Sequence, residues 1–155
     1  MRLVVGISLV LSLFLVSCFD LPYYSESHVV DSSGWESTDS LRFDFNIADS
    51  ITRYDCAIDL SHTGDYPFSN IYLFVDIEFP NGKNRVDTVH ITLADRTGKW
   101  YGSGLGDMTS LGVTFQSGIA FPITGDYGVT ITHGMRNDPL EGITDLGFRI
   151  EDLSL

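Results

Sequence analysis

The stretch that decides the fold is N-I-Y-L-F-V-D-I-E-F-P-N-G, residues 70–82. Apolar side chains occupy every second position from Ile71 to Phe79, as in a β-strand, where successive side chains point to opposite faces. Pro80-Asn81-Gly82 then forms a turn signal, and alternation resumes on a return strand at Val89, Ile91 and Leu93. This pattern predicts a long strand followed by a β-hairpin.

The same period of two recurs along the chain beyond residue 40, with turn residues between the runs. It is found at 41–47, 56–60, 111–115, 127–131 and 146–150. We therefore predict an all-β fold, an antiparallel β-sandwich of about seven to eight strands. The segment 94–110 is the one long irregular stretch, and it carries four glycines around Trp100-Tyr101.

The N-terminus has the features of a secretory signal. Met1-Arg2 gives a short positive head, and the run from Leu3 to Val16 is apolar and uncharged. A helix of about 14 residues covers about 21 Å, less than the roughly 30 Å hydrocarbon core of a bilayer. The following Leu15-Val16-Ser17-Cys18 resembles the bacterial lipobox, which implies acylation of Cys18 and cleavage before it.

The predicted domain organisation has three parts. Residues 1–17 form a lipoprotein signal peptide, 18–40 a polar lipid-anchored tether, and 41–155 the β-sandwich domain. The alternative is an ordinary signal peptide whose Cys18 later pairs with Cys56. If Cys18 is acylated instead, Cys56 lies on the apolar face of a strand and is a buried, inert thiol.

Charge and motif content exclude several classes of function. The chain has 9 Lys+Arg against 21 Asp+Glu, a net charge of −12, which repels the phosphate backbone of nucleic acids. The four histidines are far apart, and the chain lacks G-x-S-x-G and G-x-G-x-x-G motifs. We predict no catalytic residue, no cofactor and no metal site; a carboxylate pair for glycoside cleavage and a calcium site stay open as alternatives.

Several stretches of the sequence carry a resemblance to a known family. The most specific is D-Y-P-F-S-N-I-Y-L-F-V-D-I-E-F-P-N-G-K at 65–83. Others are L-A-D-R-T-G-K-W-Y-G-S-G-L-G-D at 93–107 and G-I-T-D-L-G-F-R-I-E at 142–151. In these stretches the chain resembles the gliding motility lipoprotein GldH family of Bacteroidetes. The resemblance spans nearly the whole mature chain and implies an envelope lipoprotein with Cys18 as the lipid-bearing residue; it implies no catalytic residue.

Aromatic residues supply the candidate interaction surface, for which two outcomes are open. Tyr72 and Phe74 lie on the opposite face of their strand from Leu73, so either a second layer covers them or they form an exposed docking patch. The aromatic residues of the irregular segment either pack on the sheet edge or bind a ligand. The candidate residues are Tyr66, Tyr72, Phe74, Trp100 and Tyr101.

The leading functional hypothesis is a non-enzymatic, lipid-anchored assembly or scaffold component of the gliding motility or associated secretion machinery. Its partners would be the membrane, through the anchor, and envelope proteins. Cys18 is followed by Phe19-Asp20-Leu21 without a cluster of acids, which favours a position facing the periplasm. The alternative is a carbohydrate-binding β-sandwich on the envelope, with Trp100-Tyr101 stacking on a sugar ring; a hydrolase with a carboxylate pair is a third, weaker hypothesis.

Overall fold

The computed structural model describes residues 21–154, which form nine β-strands. Their bounds are β1 Tyr24–Val29, β2 Leu41–Ile47, β3 Tyr54–Thr63, β4 Asn70–Glu78, β5 Asn84–Thr92, β6 Ser103–Leu105, β7 Met108–Ile119, β8 Gly125–His133 and β9 Ile143–Asp152. None of the described residues forms a helix with the length and apolarity needed to cross a bilayer. The predicted signal peptide and Cys18 lie outside the described residues.

The strands form two antiparallel sheets packed face to face. One sheet has the order β1-β9-β3-β7-β6, and the other has the order β2-β8-β4-β5. Consecutive strands are often placed in different sheets, as in sandwich folds, and this crossing brings distant segments into one core. The predicted all-β sandwich is confirmed, with two strands more than the seven that the alternating pattern marked.

The core is built by alternation along each strand. In β4, Ile71, Leu73 and Val75 are fully buried between the sheets, while the residues between them point outward. The facing sheet contributes Ile58, Leu60, Leu146 and Phe148 to the same core. Burial of such side chains contributes roughly 1.5–3 kcal/mol each, so the period-two pattern fixes which face of each strand turns inward.

The folded domain begins earlier than residue 41. Strand β1 pairs with β9 from Tyr24↔Ile150 to Val29↔Asp145. Beyond it, Trp35 is 1% exposed and exchanges backbone hydrogen bonds with Leu140. The predicted tether over 18–40 is therefore too long. Alternation failed to mark β1 because it is an edge strand, mostly exposed and held by backbone hydrogen bonds rather than by an apolar face.

The segment predicted to be irregular contains a short hairpin. Strand β6 pairs with the first three residues of β7, in the register Ser103↔Ser110 to Leu105↔Met108. A Cβ at Gly104 would collide with the carbonyl oxygen of Met108, so the close pairing of these strands requires glycine here. The glycine-rich composition that indicated a loop is thus a condition for strand pairing.

The strand directions give the sandwich two ends. The N-terminal end, where β1 starts, carries the turns 48–53, 79–83 and 120–124. The far end carries the turns 64–69 and 134–142, together with the linkers from β1 to β2 and from β5 to β6. The pairing register of a strand therefore shows which of its termini lies at the N-terminal end of the sandwich and which at the far end.

Replacement of Trp35 tests whether the segment before residue 41 belongs to the fold. Trp35→Ala removes a buried indole whose Nε1 donates to the carbonyl of Asp39 at 2.7 Å. We expect a loss of about 3–5 kcal/mol in the free energy of unfolding, measured by urea titration with circular dichroism. The control Val29→Ala, at an exposed position, should change it by less than about 0.5 kcal/mol. Equal stabilities of the two variants would contradict this boundary.

Candidate functional site

The outer face of the four-stranded sheet exposes two aromatic side chains near the middle of β4. Tyr72 is 41% exposed and Phe74 is 44% exposed. Across the β4–β5 pairing, Tyr72 is opposite His90 and Phe74 is opposite Thr88. Within residues 21–154 no second layer covers them, so both rings are accessible to solvent.

Neighbouring groups fix both rings in place. The Tyr72 ring stacks on the His90 ring, with centroids 4.6 Å apart and planes inclined by 19°. The amide nitrogen of Asn70 lies 3.2 Å from Nε2 of His90, on the side chain that supports Tyr72. The ring of Phe74 lies over Gly134, where a Cβ would come within 2.9 Å of it. Side chains held in this way lose little conformational entropy when a partner binds.

Further along the same face, Val86 on β5 adds an aliphatic side chain that is 61% exposed. It is opposite Asp76, one outward position beyond Phe74. We call Tyr72, Phe74, Val86 and His90 the aromatic face. The face lies on the sheet that does not contain β1, so it is separate from the strand through which the chain enters the domain.

The rest of the outer sheet surface is polar and internally paired. Arg42 donates from Nε to Asp44 at 2.9 Å and from a terminal nitrogen to Glu78 at 2.8 Å. Its guanidinium lies across Gly128, where a Cβ would overlap it. Exposed ion pairs of this kind add little stability, and their charges already have partners. The aromatic face is thus the part of this surface with unused apolar area.

Tyr66 does not belong to the surface, contrary to the prediction. It is 2% exposed, its hydroxyl donates to the carbonyl of Asn70 at 2.9 Å, and burial raises its pKa. A Cβ at Gly142 would meet the Tyr66 backbone, so glycine lets the turn after β8 close over it. Tyr66 lies in the turn after β3, where alternation gives no inward or outward assignment.

Trp100 and Tyr101 differ in exposure. Trp100 is half-buried, and its ring meets His62 edge to face with centroids 4.5 Å apart. The Tyr66 and Trp100 ring centroids are 6.5 Å apart, so the structure brings these two residues together in a packed cluster at the far end. Tyr101 is 46% exposed. Of the five predicted residues, only Tyr72 and Phe74 therefore lie on the aromatic face. Val86 and His90, which were not among the predicted residues, also lie on it.

Two histidines are buried at the far end. His62 places Nδ1 at 2.9 Å from the carbonyl of Thr63, and His133 packs against Trp35 with centroids 5.3 Å apart. Neither nitrogen of His133 has a hydrogen-bond partner among the described residues, and Asp138 lies 3.9 Å away. Burial lowers the pKa of His133, so the neutral imidazole is favoured.

The thiol of Cys56 lies inside the core beside an apolar cavity. The cavity has a volume of about 170 Å³ and is bordered by Phe45, Ile77 and Phe115. Burial, with a smaller contribution from Asp55, raises the pKa of Cys56 to about 12. The predicted burial of Cys56 on the apolar face of its strand is confirmed, and a raised pKa disfavours the reactive thiolate. Residues 21–154 hold no cluster of three His, Cys, Asp or Glu side chains placed for a metal ion.

Comparison with known proteins finds a family match over most of the chain. Residues 22–150 match the family described as GldH lipoprotein. A gliding motility lipoprotein GldH homolog from Christiangramia forsetii is 33% identical over 142 residues, covering 87% of this chain and 86% of its own. The gliding motility lipoprotein GldH of Flavobacterium johnsoniae is 33% identical over 153 residues, covering 94% of each chain.

Among solved structures, the chain is similar to the VP2 subviral particle of infectious bursal disease virus. The TM-score is 0.30 at 14% identity, over 81% of this chain and 30% of the viral chain. The structure of the Gt strain of the same virus gives a TM-score of 0.20. Scores this low carry no information about function.

The buried imidazole of His133 predicts a loss of stability in acid. Because its folded pKa is lowered, the unfolded chain binds more protons once the pH falls below the ordinary value of about 6.5. The stability that neutral His133 contributes to the folded state is complete above that pH. It is lost as the pH falls toward the folded pKa, at up to about 1.4 kcal/mol per pH unit.

Urea unfolding of wild type and His133→Leu at about pH 8 and about pH 5.5 measures this loss. Wild type should lose more free energy of unfolding than the variant does between the two pH values. All other titratable groups are the same in both proteins, so the difference isolates His133. Equal losses would show that burial of the imidazole has no stability cost in acid.

Proposed function

Because the chain belongs to the GldH lipoprotein family, we propose that it is a lipid-anchored envelope protein of the gliding motility or associated secretion machinery. Within that machinery it serves as a non-enzymatic assembly or scaffold component. Family membership supports attachment to a membrane. The aromatic face supports the second half of the proposal, since it offers a fixed apolar surface for a protein partner.

Attachment depends on Cys18, which follows Leu15-Val16-Ser17. Acyl chains on this residue hold a protein on a bilayer firmly, because each buried CH₂ contributes about 0.8 kcal/mol and two or three chains act together. The Phe19-Asp20-Leu21 that follows, without a cluster of acids, supports a position facing the periplasm.

Mass spectrometry of the native protein tests the attachment. The mature chain should begin at Cys18 and carry the mass of a diacylglycerol and, where the amino group is also modified, a third acyl chain. Cys18→Ser should abolish the added mass and move the protein out of the membrane fraction. A free thiol at Cys18 in the native product would overturn the lipid anchor.

The aromatic face suits a protein partner because it combines three properties. It is apolar in the middle, it is fixed by His90 and Gly134, and it is bordered by the polar surface around Arg42. Aromatic anchors surrounded by polar groups are the usual energetic centre of protein interfaces. Other members of the apparatus meet a membrane-attached protein in two dimensions, which raises their effective concentration near this surface.

The carbohydrate alternative is weakened by the position of Trp100. Its indole is half-buried and packs against the His62 ring with centroids 4.5 Å apart, which leaves less of it to stack on a sugar ring. Tyr101 alone has an exposed ring there. Stacking on a single tyrosine supplies less of the contact that glycan binding needs.

Site-specific crosslinking tests the aromatic face. A photoreactive amino acid at Thr88, opposite Phe74, should crosslink to an envelope protein in the native membrane. The double substitution Tyr72→Ser and Phe74→Ser should abolish that crosslink, because it removes the apolar side chains that lie opposite and diagonal to the probe on β4. A glycan array should show no binding that depends on these residues.

The matched control is Val29→Ser, which removes an exposed aliphatic side chain from the other sheet. It should leave the crosslink unchanged. Both variants should keep the wild-type strand content by circular dichroism, since all three side chains are exposed in part. A crosslink that survives the double substitution, or binding to glycans instead, would count against the proposal.

A further inference from the structure

The chain enters the domain at a fixed point of the N-terminal end. The hydroxyl of Tyr23 donates to the carbonyl of Asn46 at 2.9 Å and accepts from the amide of Ala48 at 3.3 Å. Its ring meets Tyr54 edge to face, with centroids 5.1 Å apart. The covalent path from Cys18 to the folded domain therefore ends at Tyr23, since β1 begins at the next residue.

Covalent geometry limits how far this end can lie from the lipid-bearing residue. Consecutive Cα atoms are 3.8 Å apart, so the Cα of Leu21 is at most about 11 Å from that of Cys18. The Cα of Tyr23 is at most about 19 Å away. A tether reaching to residue 40 would have allowed about 80 Å. The early start of the fold thus keeps the N-terminal end close to the membrane surface.

Three aliphatic side chains are exposed at this end. Leu21 is 79% exposed, Ile51 is 85% exposed and Leu153 is 48% exposed. Ile51 lies in the turn 48–53, where Asp49 accepts from its amide at 2.7 Å, and Leu153 donates from its amide to the carbonyl of Arg53 at 2.9 Å. Leu153 is thus tied to the turn that carries Ile51, at the end of the sandwich where the chain enters.

We propose that the N-terminal end of the sandwich rests on the lipid bilayer, with Leu21, Ile51 and Leu153 inserted among the headgroups. This inference rests on the lipid attachment within the proposed function and does not depend on the scaffold role. Side chains of this type enter the boundary between headgroups and acyl chains when an anchor holds them there. The acyl anchor and the three inserted side chains then attach the domain to the bilayer together, which fixes the orientation of the domain.

The charges at this end indicate the type of lipid. Asp49 accepts hydrogen bonds from Ile51 and Thr52, and Asp152 accepts from both the amide and hydroxyl of Ser154. The hydrogen bonds from Ile51 and Thr52 lower the pKa of Asp49. Arg53 in the same turn is basic and donates to the carbonyl of Gly118, but the whole chain carries a net charge of −12. Anionic headgroups would be repelled, so a zwitterionic surface such as phosphatidylethanolamine is preferred.

A fluorescent label at position 51 tests the contact in the full lipidated protein. Ile51→Cys gives one accessible thiol, because the Cys18 sulfur is occupied by lipid and Cys56 is buried. In vesicles of phosphatidylethanolamine and phosphatidylcholine, an environment-sensitive label there should shift its emission to the blue. Nitroxide groups placed at the headgroup level of the lipids should quench it.

The matched control is Val29→Cys, a similarly exposed aliphatic position at the far end of the sandwich, where β1 ends. Its label should show water-like emission and no quenching. Leu153→Cys should behave like Ile51→Cys, and the added substitution Ile51→Ser should reduce its blue shift. Anionic phosphatidylglycerol in the vesicles should reduce quenching at position 51.

Two results would overturn the inference. One is a label at position 51 that matches the Val29→Cys control in emission and quenching. The other is a blue shift at position 51 that vanishes when the protein is diluted in the membrane, which would place a second copy of the chain on this end. Mass spectrometry of the same sample confirms acylation of Cys18 first, so a missing anchor is distinguished from a missing contact.

Discussion

The fold depends on burial of one face of each central strand between two sheets. Ile71, Leu73 and Val75 are fully buried on β4, and this alone decides where the residues between them point. A strand cannot turn Tyr72 and Phe74 inward without moving three aliphatic side chains into water, at a cost of several kcal/mol. The candidate docking surface is therefore a direct consequence of core formation.

Pairing of β1 with β9 is the second constraint, and it sets where the folded domain begins. The strand adds little apolar burial, yet its six residues take part in an antiparallel ladder. This ladder, together with the contacts of Tyr23, leaves only a few residues between Cys18, the proposed site of lipid attachment, and the folded body. The polar composition had suggested a long tether; with the proposed attachment, the domain would instead lie close to its anchor.

Much of the architecture is readable from the sequence, because alternation reports burial directly. The outward position of Tyr72 and Phe74 followed from the pattern of β4 alone. The stacking of Tyr72 on His90 could not be predicted from that pattern, because it depends on the register between β4 and β5. Strand β1 and the burial of Tyr66 were not predicted, for a related reason. An edge strand is held by backbone hydrogen bonds, and the turn at Tyr66 closes because of a distant glycine; neither leaves a periodic pattern in the local sequence.

The geometry of β1 also has a mechanical consequence. A force applied through Cys18 would pull β1 along its own axis, away from β9, which runs antiparallel beside it. The hydrogen bonds that join residues 24–29 of β1 to β9 would then be loaded together in shear, instead of opening one at a time from the end of the strand. With the proposed attachment at Cys18, this shear geometry would make the domain resist extraction of β1 when the anchor is under load.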